Sequence, residues 1–168
     1  MAASESPHTR SRSATVAEQQ AALRRVAVLV ATGAAAADVF AAIATEVAQL
    51  LRPRLVQIYR WERDGSVTVA GTWGDGPNPF PAGSHSPWDD PSLVAMREHL
   101  RTGQPVRIED VEESIAGAPV DAGVSVGVGS AAGAPVVVDG EGWGHIGVAM
   151  ARGVPLPDRI EELSLIHI

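Results

Sequence analysis

Apolar residues in this chain change period several times, and each change marks an element. Leu23, Val26, Ala27 and Val30 recur at helical spacing. Thr15 and Glu18 form a capping box ahead of them and Gly33 supplies a stop. A second helix is expected from Ala36 to Leu51, with Phe40, Ile43, Val47, Leu50 and Leu51 along one stripe and Arg52-Pro53 at its end. The period then falls to two. Leu55–Trp61 and Ser66–Trp73 read as strands about an Arg63-Asp64-Gly65 turn. Residues 74–91 are crowded with Gly and Pro and read as loop.

Further on, Leu93, Met96 and Leu100 share one face of a helix expected over 92–101, and Val106–Ile108 is a short strand. Residues 109–123 are acidic and rich in Ala and Gly, a loose helical stretch. Ala134–Val138 and Trp143–Ala151 are β-rich runs separated by Asp139-Gly140-Glu141-Gly142, the residue types a tight hairpin turn needs. By strict alternation His145 shares a face with Trp143, Gly147 and Ala149. Asp158 can cap a final helix after Pro155-Leu156-Pro157. Strand pair, helical crossover, strand, crossover and strand pair, with helices at both ends, make an α+β fold.

Composition narrows the function. The chain has 168 residues, 45% of them hydrophobic, and a formal charge of -7. That suffices for one domain and argues against nucleic acid or an anionic membrane as a main partner. All thirteen basic residues are Arg, so lysine Schiff-base chemistry and a P-loop lysine are absent. Zero Cys excludes disulfides, thiolate catalysis and thioether-linked chromophores. No run approaches the ~20 apolar residues of a membrane span, and no signal core is present, so a cytoplasmic domain is expected.

Candidate chemistry is sparse. His85, Trp88, Asp89 and Asp90 stand together in the Pro-rich loop, but one His with an Asp pair is poor metal-ligand spacing, and a solvated loop is the better reading. His99 on helix 92–101 can donate a hydrogen bond into a pocket or serve as an axial haem ligand, with His145 as second choice; an exposed histidine near a helix C-terminus is the simpler account. Gly127, Gly129 and Gly133 miss the dinucleotide spacing and precede a strand. The carboxylates at 109–113 read as a solvated face. No nucleophile–base pair is recognisable, so no catalytic residue and no metal site is assigned.

The segment SAAGAPVVVDGEGWGHIGVA resembles the signature of GAF domains, with its "GxP" strand followed by "G-x-x-W-G-x-I-x-V". The order of elements from about Val16 to Glu162 is similar to that family's. The resemblance implies a six-stranded antiparallel sheet with N- and C-terminal helices on one face and a pocket-forming helix and loop layer on the other. It further implies a sensory small-molecule module, the input of a signalling protein such as a two-component histidine kinase whose output is absent from this chain. A homodimer through the terminal helices follows from it too, with no nucleic-acid or membrane partner.

Trp73, His85, Trp88, Met96 and His99 are the expected pocket residues, and the ligand itself is unknown. A chain without Lys cannot match the cyclic-nucleotide pattern of the family, and one without Cys is expected to hold no bilin. Haem remains a minor option. The alternative is a degenerate GAF domain serving only as a dimerisation module. A methionine-sulfoxide reductase, an activity of some small GAF proteins, needs catalytic cysteines and is excluded. The expected division is a disordered tail at 1–14, a GAF-like domain at 15–162, and a non-native end at 163–168. That last expectation rests on Leu163-Ser164-Leu165-Ile166-His167-Ile168, which reads as the translation of a common sequencing adaptor.

Overall fold

The computed structural model describes residues 7–74, 76, 78, 80–87, 89, 104–111 and 127–157. Helix α1 (Pro7–Ala31) and helix α2 (Ala36–Leu51) precede six strands: β1 (Leu55–Trp61), β2 (Val67–Gly74), β3 (His85–Ser86), β4 (Val106–Ile108), β5 (Val128–Val138) and β6 (Glu141–Ala151). The strands form one sheet in the order β3-β2-β1-β6-β5-β4, and every neighbouring pair is antiparallel.

The turns follow from local chemistry. Gly33 takes a φ of 72° after α1, and the Ala34 amide reaches back to the Leu29 carbonyl at 3.1 Å, closing the helix. Arg52 ends α2 in the left-handed region, its amide 2.8 Å from the Ala48 carbonyl, and Pro53 prevents continuation. Asp139 and Gly140, at φ of 51° and 80°, make the two-residue turn between β5 and β6. Asp64 accepts from the Ser66 amide at 3.0 Å and from its hydroxyl at 2.5 Å, ordering the β1–β2 turn. Those bonds hold the Asp64 carboxyl below its ordinary pKa.

One face of the sheet lies under α2. Val56, Ile58, Ala132, Ala134, Ile146, Val148 and Met150 meet Ala44, Val47 and Ala48 in the main core, with Phe40, Ile43 and Trp73 packed against it. A smaller cluster of Tyr59, Val67 and Val69, joined by Trp61 and Phe80, occupies the opposite face.

Three details differ from the sequence reading. Helix α1 begins at Pro7, so Thr15 lies within it rather than at its cap. Adding polar turns to an existing helix costs far less than nucleating one, which carries the helix upstream into a segment too polar to bury itself. Inside 74–91, His85-Ser86 pairs with Thr68-Val67 and supplies the sixth strand. The alternation of β6 breaks as well. The register shifts between Val136 and Val137, so Gly144 faces Val136 and Gly142 faces Val137, and Trp143 between them has no partner. This bulge turns Trp143 onto the α2 face, where it stacks on Phe40, while His145 pairs with Tyr59. His145 and Trp143 therefore stand on opposite faces. The expected helices at 92–101 and beyond Asp158, and most of 109–123, lie outside the described residues.

Candidate ligand-binding site

The face opposite α2 carries the buried polar groups. Strand β1 alternates Val56 and Ile58 toward α2 with Gln57 and Tyr59 away from it, and both of the latter are buried. The Tyr59 hydroxyl donates to Gln57 Oε1. The Gln57 amide then donates to the Phe80 carbonyl at 3.1 Å and lies 3.4 Å from Asn78 Oδ1. Asn78 passes the network on to the Thr72 hydroxyl at 2.9 Å, and Thr72 donates to the Val56 carbonyl at 3.1 Å. A buried amide left unpaired would cost about 1–3 kcal/mol, so this network fixes where Asn78 and Phe80 lie over the face. Burial pushes the Tyr59 phenol well above its ordinary pKa and keeps it a neutral donor.

Beside Tyr59, the His145 imidazole is 3% exposed and lies over Gly133, where a Cβ would overlap Nε2. Gly133 is therefore required by the ring that covers it. Gly147, opposite Gly133 in the β5–β6 register and opposite Gln57 in the β1–β6 register, differs: a Cβ there comes no nearer than 3.9 Å to the Tyr59 ring. The resulting floor has hydrogen-bonding groups of Gln57, Tyr59 and His145, flanked by Val69 and Phe80 and, among the described residues, uncovered at Gly147. Such a surface, apolar with a few fixed polar groups, suits a largely apolar small molecule.

Of the expected pocket residues, Trp88, Met96 and His99 lie outside the described residues. Trp73 pairs with Val56 and packs into the α2-side core. His85 is exposed on β3, its Nδ1 3.3 Å from the Thr68 hydroxyl. Thr68 and Trp73 are five residues apart on β2, about 17 Å by the strand rise, so Trp73 and His85 do not meet. Gln57, Tyr59 and Asn78 went unread. The signal was present in LVQIYRW, whose odd positions 57, 59 and 61 carry polar or aromatic groups on one face. Among the described residues no group of three or more His, Asp or Glu is placed to hold a metal ion, and no helix is long and apolar enough to cross a membrane.

The sequence profile of the GAF domain matches residues 35–165, most of the chain. This chain belongs to the GAF family. In signalling proteins, GAF domains are small-molecule-binding sensory modules, regulatory rather than catalytic. Solved structures agree on the fold. The phycocyanobilin-bound GAF domain from a cyanobacterial phytochrome is 24% identical with a TM-score of 0.66, covering 87% of this chain and 86% of that one. A phycoerythrobilin-bound GAF domain from a cyanobacterial phytochrome gives 22%, 0.66, and 88% of both chains. The GAF domain from an Acinetobacter phosphoenolpyruvate-protein phosphotransferase is 19% identical with a TM-score of 0.59, covering 86% of this chain and 84% of that one. No curated protein matches.

These relatives correct the expectation that a bilin is excluded. Two of the three are bilin-bound GAF domains on the same scaffold. The missing cysteine removes a covalent link only; a large, mostly apolar molecule can still be held by burial and hydrogen bonds.

Proposed function

We propose that this GAF domain is the ligand-sensing input module of a cytoplasmic signalling protein, such as a histidine kinase, with any catalytic output in a fused domain. The observation that carries this reading is the buried Gln57–Tyr59 pair, whose hydrogen bonds reach Asn78 and Phe80 above the sheet face. A ligand on that face that engages Gln57 differently from Phe80 biases the loop between two states, and differential binding of this kind is the means by which a ligand shifts an equilibrium. Trp88, Met96 and His99, with His85 at the sheet edge, remain proposed contributors to the pocket or its rim, whereas Trp73 belongs to the α2-side core.

Biliverdin, a probe chosen from the chemistry of the bilin-bound relatives, tests the reading. The expected result is a saturable visible-band change on titration of the whole chain, at least tenfold weaker in Gly147→Trp, which fills the open floor. A flat biliverdin titration, or one unaltered by Gly147→Trp in a folded protein, counts against a ligand site on this face.

A second reading has its own support. Helix α1 leaves Leu23, Val28 and Val30 exposed, at 63%, 55% and 59%. Leu23 and Val30 are seven residues apart, the spacing of a helix-pairing seam. Homodimerisation through α1 fits both a sensor and a degenerate GAF domain used only for assembly.

A further inference from the structure

On the side of the sheet away from Tyr59, α2 and the β5–β6 hairpin flank a partly open cavity of about 190 Å³. Val39, Phe40 and Ile43 of α2 and Val136, Trp143 and Ile146 of the hairpin are among its walls, and every described lining residue is hydrophobic.

Two contacts hold this space open. Phe40 packs so closely on β2 that a Cβ on Gly71 would overlap its Cβ, so α2 cannot settle further onto the sheet there. On its other side Phe40 stacks on Trp143, ring centroids 5.0 Å apart and planes at 28°. The bulge at Val136–Val137 delivers Trp143 to that position against the alternation of its strand. Phe40 is thus wedged between β2 and the hairpin, and the gap between helix and hairpin is set by a ring stack rather than by close packing.

The chemistry of the walls selects the occupant. An ordered water needs two to four polar partners, and these walls offer none among the described residues, so none of them holds a water in place. Dry apolar cavities of about 150 Å³ take benzene, and drug-sized pockets begin near 300 Å³. The size falls between the two. We infer that this cavity is a second binding site, distinct from the Tyr59 face, for an uncharged one- or two-ring aromatic hydrocarbon. An occupant there touches α2 and the hairpin at once. Helix α2 also carries Glu46, whose pair with Arg25 ties it to α1, so occupancy bears on how the two helices sit.

Toluene is the probe, and methyl NMR of the whole chain the measurement. The expected result is saturable shifts of the Ile43, Val136 and Ile146 methyls, with the Val69 methyls on the opposite face unmoved. Val39→Phe and Val138→Phe, both at half-buried lining positions, fill the space from opposite sides and should each weaken toluene binding at least tenfold; the methyl spectrum itself reports whether each variant is folded. Shifts confined to the Val69 and Tyr59 face overturn the inference. So does the absence of saturation, the result if another part of the chain or a second copy fills the space. Undiminished affinity in both folded variants overturns it equally. Because the two faces are read by different methyls, a failure here is separable from a failure of the biliverdin test.

Discussion

Gly144 crosses so close to Tyr59 at the β1–β6 seam that a Cβ on Gly144 would overlap the Tyr59 carbonyl oxygen. The obstacle is backbone, which cannot rotate away as a side-chain tip can. Gly144→Ala is therefore expected to pry the two central strands apart, with a loss of about 2–4 kcal/mol. Gly147→Ala, with nothing among the described residues nearer than 3.9 Å, should stay within about 1 kcal/mol of the parent. Denaturant unfolding of the two variants side by side checks the contrast. Equal losses would show that strand propensity rather than the seam governs both positions.

Much of this architecture was legible from period and punctuation. Helix α2 and the β1–β2 hairpin depend on neighbours in sequence and fall where the pattern put them. In the second hairpin, by contrast, β5 begins at Val128 rather than Ala134, and the turn shrinks from 139–142 to Asp139-Gly140. The faces of individual side chains were less so. Trp143 belongs by alternation beside His145, and only the pairing of β6 with β5 reveals the extra residue that reverses it. His85-Ser86 is too short to announce itself and becomes a strand because β2 offers an open edge. The candidate floor has the same character. The burial of Gln57 depends on Asn78 and Phe80, which bond to it from more than twenty positions away.

Tyr59 is the chain's single tyrosine, so its ionisation can be followed by ultraviolet absorbance without interference. Burial raises its folded pKa above the ordinary value of 10. The stability this contributes is fully present below pH 10 and is lost as the pH rises beyond it, because the unfolded chain then gains by releasing a proton that the folded chain retains. No tyrosinate step is expected near pH 10 in the native protein. The signal should appear only together with alkaline unfolding seen by circular dichroism. A separate, earlier step with the fold intact would mean the phenol is open to solvent.

Arg25 of α1 grips Glu46 of α2 through two nitrogens, both at 2.5 Å. The guanidinium hydrogen bond holds the Glu46 carboxyl below its ordinary pKa of 4.5. A group whose folded pKa is depressed contributes above its unfolded value, so this link is intact at neutral pH and is lost as the pH falls through the depressed one. Carboxyl carbon NMR should find the Glu46 midpoint below 4.5 in the parent and back near it in Arg25→Gln, with faster amide exchange along α1 in the variant. An unmoved midpoint would mean the pair is not held in solution, as is common for exposed ion pairs.

The middle of the sheet is a seam between the first strand made and the last. Ile58 finds its partner in Ile146, 88 positions later in the chain. On the ribosome, β1 and β2 emerge as a hairpin whose inner edge stays bare until β6 follows, and no earlier strand can substitute. Long-range pairing of this kind is slow to nucleate and leaves an adhesive edge exposed while it waits. A stall between Ser86 and Val106 strands a fragment with three of the six strands, and any stall before Glu141 leaves β1 without its central partner, so the sheet closes only once β6 has been synthesised.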